Sequence, residues 1–208
     1  MDQIVAACRI VANPSRLALL HVIHTQPWIT AQALAMRLGT SGDVVSHDLK
    51  LLRTLQLVTT RPRGRYVLCA PATGQNIANR FLRGLRELLY PVLSSSDLRR
   101  TLGQVCGPGA SASWPAVWEA LEKIFTAYTH PRRLLLLRYL VQQKMGTPDT
   151  LREALGISAD ALDRHLDKLQ RRGLLQPFGQ DPVHWRVSLR SRPPFRRQLW
   201  DLIRQELK

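Results

Sequence analysis

Leucines recur at helical spacing through residues 14–57 and again through residues 131–174. In the first stretch Leu17, Leu20 and Ile23 share one face of a helix that begins at Pro14, and Val45, Leu49 and Leu52 share one face of a helix capped by Ser41. In the second, Leu134, Leu137 and Leu140, then Leu162, Leu166 and Leu169, repeat both stripes. A shift of 117 positions aligns Pro14–Leu57 with Pro131–Leu174 without a gap, and 15 of the 44 aligned positions are identical. The matches include Pro14 with Pro131, Gly39 with Gly156 and Ser41 with Ser158, which richness in leucine alone does not produce. The chain carries an internal repeat.

Each copy predicts the same order of elements. A first helix spans about Gln3–Ala12 in copy one and about Pro115–Tyr128 in copy two. The second starts at Pro14 or Pro131, a position that suits proline because the first helical N–H has no partner. A short third helix opens after Thr30, or after Thr147-Pro148, and stops at Gly39 or Gly156. The fourth follows at once, capped by Ser41 or Ser158. A two-stranded ribbon comes next: Val58–Arg61 and Arg65–Cys69 around Pro62-Arg63-Gly64, and Leu175–Phe178 and Trp185–Leu189 around Gly179-Gln180-Asp181-Pro182. An amphipathic helix closes each copy, over about Gln75–Leu89 (Ile77, Phe81, Leu85, Leu88 apolar) and about Pro194–Leu207 (Phe195, Leu199, Leu202, Ile203 apolar). Residues 94–113 are rich in Ser, Gly and Pro and read as a linker, with a short helix around Leu98–Val105 inside it. The expected organisation is a mostly α chain of α+β character, with domain 1 over residues 1–93, a linker over 94–113 and domain 2 over 114–208. Trp114, Trp118, Phe125 and Tyr128 are expected in the core of domain 2.

Composition sharpens the functional reading. Of 208 residues 45% are hydrophobic, enough for a buried core, yet 30 Lys and Arg against 15 Asp and Glu give a net charge of +15. Such an excess points to a polyanionic partner, nucleic acid first and an anionic membrane surface second. Residues 1–93 carry +7, residues 94–127 balance, and residues 128–208 carry +8. Three widely spaced cysteines, Cys8, Cys69 and Cys106, form no disulfide framework and fit a reducing cytoplasm. Cys8 and Cys69 read as small buried hydrophobes and Cys106, in the linker, as the exposed one. The apolar runs near Leu17–Ile23 and Leu134–Val141 are short and contain His21 or Arg138, so no membrane span is expected. Asp2 and the lack of a basic stretch ahead of the first apolar residues argue against a secretory signal.

Helix, glycine turn, helix and two-stranded ribbon together make a winged helix-turn-helix, in which the fourth helix enters the major groove and the ribbon follows the phosphates. Copy one resembles the ArsR-type (arsenic-repressor-like) winged-helix regulators through Ala12-Asn13-Pro14-Ser15-Arg16-Leu17, Ala33-Leu34-Ala35-Met36-Arg37-Leu38-Gly39 and Ser41-Gly42-Asp43-Val44-Val45-Ser46-His47-Asp48-Leu49-Lys50-Leu51-Leu52. The family usually has a basic residue followed by His ahead of the last Leu-Lys, where this chain has His47-Asp48. Copy two keeps Arg164-His165-Leu166 and Gly173-Leu174-Leu175, also typical of the family. The resemblance covers about 150 residues and implies sequence-specific binding of double-stranded DNA and transcriptional regulation, as a repressor. It also implies symmetric pairing through first and last helices, which a tandem chain makes within itself as a pseudo-dimer or between two chains as a homodimer.

Copy one offers the better reading face. Ser41, Gly42, Asp43, Ser46, His47 and Lys50 lie at the start and on the polar face of its fourth helix, and Arg61, Arg63 and Arg65 crowd its ribbon. In copy two the equivalent face holds Ala159, Asp160, Asp163, Arg164 and Asp167, whose three carboxylates repel phosphates, and only Arg164 joins the expected DNA contacts. The family's metal sites do not carry over. Trp28-Ile29-Thr30-Ala31-Gln32 contains no cysteine where the arsenic type has its Cys-x-Cys-like motif, and neither closing helix contains the histidine of the zinc type. His21 and His24 share a helix face but have no acidic or cysteine neighbour, so packing is the expected role and no metal or cofactor is assigned. No phosphate loop, nucleophile elbow or His-Glu-x-x-His occurs, and no enzymatic activity is expected. A small-molecule effector stays open. The rival class is a protein-docking or architectural module with only non-specific DNA binding.

Overall fold

The computed structural model describes residues 1–73, 77–107, 109–179, 183–188 and 193–208. It is mostly helical with two small antiparallel sheets. The chain forms two compact units, one of residues Ile10–Glu122 and one that joins Met1–Arg9 to Lys123–Lys208. The division falls inside the first and seventh helices, α1 (Asp2–Val11) and α7 (Trp114–Phe125), and not in the 94–113 segment read as a linker.

The Ile10–Glu122 unit is built on α2 (Pro14–Thr25), which buries Leu17, Leu19, Leu20, Val22 and Ile23. Asn13 starts it by accepting a hydrogen bond from the Arg16 N–H at 2.9 Å, with Pro14 in the first turn. Then come β1 (Ile29–Thr30), α3 (Ala31–Leu38) and α4 (Gly42–Thr54). The turn between α3 and α4 is set by three residues. Thr30 caps α3 through the Ala33 N–H, Gly39 ends it at φ 61°, and Ser41 caps α4 through the Val44 N–H. Glycine fits the left-handed position because it has no Cβ to clash. Strands β2 (Val58–Arg63) and β3 (Tyr66–Pro71) form a hairpin in which Arg63 pairs with Tyr66. The expected two-stranded ribbon is here a three-stranded sheet of order β1-β3-β2, because Ile29 and Thr30 pair with Cys69 and Leu68.

The closing helix α5 (Arg80–Leu93) starts and ends later than the periodicity suggested. Asn79 caps it through the Leu82 N–H, and Pro91 lies within its last turn. Gln75, the expected first residue, lies outside the described residues. Ile77 is buried ahead of the helix, and Leu82, Leu89 and Val92 are buried where Leu88 was expected to lead. Helix α6 (Leu98–Val105) falls where a short helix was read, but the segment around it is no exposed tether. Thr101, Val105 and Cys106 are all buried, which corrects the exposure expected of Cys106. Trp114 and Trp118 also pack here and not in the second core. They stack on one another and pack tilted against His21 of α2, with centroids 4.2 and 5.2 Å from the imidazole.

In the other unit, Ile4, Val5, Ala7 and Cys8 of α1 are buried. Arg9 Nε donates to the Thr129 carbonyl at 2.9 Å. A 3₁₀ turn (Thr126–Tyr128) leads to α8 (Pro131–Gln143), α9 (Pro148–Leu155) and α10 (Ala159–Arg171). Strands β4 (Leu175–Phe178) and β5 (His184–Val187) pair, and α11 (Pro194–Glu206) closes the chain. Phe125 and Tyr128 are fully buried here, Phe125 edge-on to Phe195 at 5.9 Å. Asp181 and Leu189, placed by the sequence in the second ribbon, lie outside the described residues. The starts Pro14 and Pro131, Ala31 and Pro148, Gly42 and Ala159, and Val58 and Leu175 are 117 positions apart in every case. Even the short third strand has a counterpart, a single bridge between Gly146 and Trp185.

Candidate nucleic-acid interface

Helix α4 buries Val45, Asp48, Leu49 and Leu52 and leaves Ser41, Gly42, Asp43, Ser46, His47 and Lys50 exposed. Asp43 in the first turn sits favourably at the positive end of the helix dipole. The Ser41 hydroxyl is occupied by its cap, so its role is to start the helix. Val44 also lies exposed in the first turn, and Met36 of α3 is 71% exposed, two apolar groups that polarity-based reading passes over.

Asp48 is the surprise on this helix. It turns inward, and Arg16 of α2 approaches to 3.6 Å, an ion pair that ties α2 to α4. Burial raises the carboxyl's pKa above its ordinary value even though Arg16 pulls the other way. The sequence motif placed Asp48 beside His47 with no sign that one would be buried and the other exposed. Ser15, Leu38, Val44 and Asp48 help line an open cleft of about 180 Å³ between α2, α3 and α4.

The β2–β3 hairpin is the basic part of this unit. Arg61, Arg63 and Arg65 are all exposed. Gly64 at φ 59° turns the chain between Arg63 and Tyr66. Two of the three arginines rest on aromatic rings. The Arg61 guanidinium lies 4.6 Å from the centre of the Trp28 ring. Arg65 lies 5.1 Å from the Tyr66 ring centre and donates to the Tyr66 hydroxyl at 2.8 Å. Trp28 holds φ 67°, a conformation rare for a bulky residue, and is half exposed. The sequence reading missed Trp28 and Tyr66, although a tryptophan just ahead of Ile29-Thr30 and a tyrosine just after Arg65 were visible signals. Arg65, Tyr66 and Val67 also face Thr30, Ala31 and Gln32 across an open cleft of about 500 Å³ at the start of α3.

Arg164, the one expected contact from the second copy, is exposed on α10 and donates from Nε to the Asp160 carbonyl at 3.1 Å. It belongs to the other unit, so the site residues gathered within one unit are those of α4 and the β2–β3 hairpin. On α10, Asp160 and Asp163 are exposed, and Asp167 pairs with Arg171 at 2.6 Å.

Among the described residues, no three His, Cys, Asp or Glu side chains gather as metal ligands, and no helix is long and apolar enough to cross a membrane. His21 Nδ1 meets the Leu93 carbonyl at 2.9 Å and its ring packs on two indoles. Cys8, Cys69 and Cys106 are all buried. Comparison with protein-family models, with curated proteins and with solved structures finds no match.

Proposed function

We propose that this chain is a sequence-specific, double-stranded DNA-binding transcriptional regulator, acting as a repressor, built from two winged helix-turn-helix domains of the ArsR-like type without that family's metal sites. The carrying observation is the pairing, within one unit, of an exposed polar α4 face behind a capped glycine turn with a hairpin bearing three exposed arginines. On this reading α4 lies in the major groove. Ser46, His47 and Lys50 reach base edges and Val44 meets a thymine methyl. Arg61, Arg63 and Arg65 hold phosphates, which fixes the register without carrying sequence information. The α4 and α10 faces differ, Lys50 and His47 on one and Asp160 and Asp163 on the other, so a one-chain pseudo-dimer is expected to prefer an asymmetric site and a homodimer a palindromic one.

The exposed carboxylates of α10 favour a second reading, in which that helix docks a basic protein partner. Both are tested by incubating the purified protein with sheared genomic DNA at near-physiological salt and sequencing the retained fragments. A sharp enriched motif supports the regulator. Retention without a motif, lost as salt rises, overturns it and leaves the docking module.

A further inference from the structure

Each unit has a cleft at the same place in the repeat, away from the α4 and hairpin surface. In the Ile10–Glu122 unit, the end of α2, the end of β3 and one side of α5 border an open cleft of about 340 Å³, lined by His24, Pro71, Ala72, Arg86, Glu87 and Tyr90. In the other unit, α8, β5 and α11 border one of about 270 Å³, lined by Leu140, Val141, Val187, Trp200 and Arg204. Four lining positions correspond. His24 and Val141 are 117 residues apart, the spacing of the repeat. Pro71 and Val187 each pair with the first residue of the preceding strand, Val58 or Leu175. Helices α5 and α11 start 114 residues apart, at Arg80 and Pro194, and their buried stripes match, Phe81 with Phe195, Leu85 with Leu199 and Leu89 with Ile203. That alignment equates Arg86 with Trp200 and Tyr90 with Arg204.

The closing helices carry the same two groups in opposite order. One cleft has the arginine first and the ring four residues on, and the other has the ring first and the arginine four residues on. Residues four apart share a helix face, so each pair borders its cleft together. The side chains have changed between the copies, yet the set is kept: a guanidinium, an aromatic ring and an aliphatic wall. A hollow left over from packing has no reason to keep that set. In the first cleft Arg86 Nη1 donates to the Ala72 carbonyl at 3.2 Å, which fixes the guanidinium at the wall. Tyr90 is 56% exposed and stands edge-on to the His24 ring, with centroids 5.6 Å apart. Burial keeps His24 uncharged at neutral pH, so its ring adds aromatic surface and no second cation. In the second cleft Trp200 is buried and Arg204 is exposed.

We propose that the two clefts bind small aromatic carboxylates, with the ligand's ring against Tyr90 or Trp200 and its carboxylate on Arg86 or Arg204. A guanidinium holds a carboxylate through two parallel N–H bonds, and aromatic rings prefer offset or edge-on contact with one another. A cavity of about 150 Å³ takes one benzene ring, so either cleft has room for a fused pair with a carboxylate. Glu87 lines the first cleft and repels a second carboxylate there, whereas none of the described residues lining the second is acidic. The second cleft is therefore the tighter site.

The probe is 2-naphthoate, titrated calorimetrically into the full chain at pH 7.5. Two sites of unequal affinity are expected. R204Q weakens the tighter one about tenfold or more, because a charge-assisted pair is lost. E87Q strengthens the weaker one about threefold or more, a gain that the loss of a structural contact does not produce. Arg204 and Glu87 are both exposed, so both variants are expected to melt with wild type. Exposed Arg99→Gln, on α6, serves as the control and leaves both affinities unchanged. 2-Naphthamide has the ring without the charge and octanoate the charge without the ring, and each binds about tenfold more weakly than 2-naphthoate. A single site that R204Q weakens overturns the first cleft and keeps the second. The absence of saturable binding, equal binding of 2-naphthamide or octanoate, or affinities that neither R204Q nor E87Q moves overturns the proposal. No DNA is present in these titrations, so failure of the regulator proposal is distinguished from failure of this one.

Discussion

Four histidines sit where a positive charge is disfavoured. Burial, then His21, lowers His24 to about 4, and burial with His130 and the arginines at 132, 133 and 164 lowers His165 to about 4. His21 and His130 move in the same direction. His130 has a second reason to stay neutral, since its Nδ1 accepts the Arg132 N–H that caps α8. Because the folded state holds these protons less tightly than the unfolded state, stability falls as the pH drops from about 6.5 towards about 4. A melting series from pH 7.5 to 4.5 is expected to show its steepest loss across that window, and H165Q is expected to flatten it. A melting temperature that stays level across the window excludes this account. In the core, Leu17→Ala is expected to cost about 2–5 kcal/mol in denaturant unfolding, since the side chain is fully buried on α2. Single side chains were only partly legible in the sequence. The leucine stripes announced themselves by spacing. The burial of Cys106 and Thr101 did not, because serine and glycine nearby marked the segment as exposed, whereas its own helix packs inward.

At the scale of elements, local chemistry decides the boundaries that were readable. Thr30, Gly39 and Ser41 fix α3 and α4 within a few residues of themselves, so both were visible before any fold was known. Gly39→Ala is expected to cost about 1 kcal/mol, since the space around it is open and only the left-handed backbone opposes a Cβ. Strand β1 was not visible, because two residues become a strand only by pairing with Cys69 and Leu68 far along the chain. The hairpin arginines were legible as charge but not as geometry. Trp28 holds the Arg61 guanidinium over its ring and so limits where that charge can go. Replacing Arg61, Arg63 and Arg65 with alanine is expected to weaken all duplexes alike and to reduce the logarithmic salt slope by roughly 2–3. Trp28→Ala is expected to produce a smaller loss in the same direction. Titrations at two or three salt concentrations measure both, and a triple variant that binds as wild type does removes the hairpin from the interface.

At the scale of the whole molecule, the repeat was legible and the division was not. Periodicity tells a helix which of its faces is apolar, but not which core receives that face. The sequence therefore grouped α1 with the block after it and α7 with the block after it. In the structure residues 1–9 belong with 123–208, and residues 114–122 belong with copy one. Cutting the chain in the 94–113 segment accordingly deprives both parts. Residues 1–113 lose Val117, Trp118 and Leu121, and residues 114–208 lose Ile4, Val5 and Cys8, all of them buried. Each fragment alone is expected to be poorly soluble and to melt without a cooperative transition, and the two expressed together are expected to recover it. Cooperative melting by either fragment alone rules out this dependence.

The split membership of α1 also orders events during synthesis. Residues 1–9 leave the ribosome well before residues 123–208, the segments they belong with. At about 5–20 residues per second, a chain of this length leaves the apolar side of that helix waiting for roughly 10–40 seconds. Copy one with α7 can close around its own core as soon as residue 122 has emerged. The amino-terminal end, carrying Ile4, Val5 and Cys8, stays open to chaperones or to a neighbouring nascent chain until the carboxy-terminal half arrives to cover it.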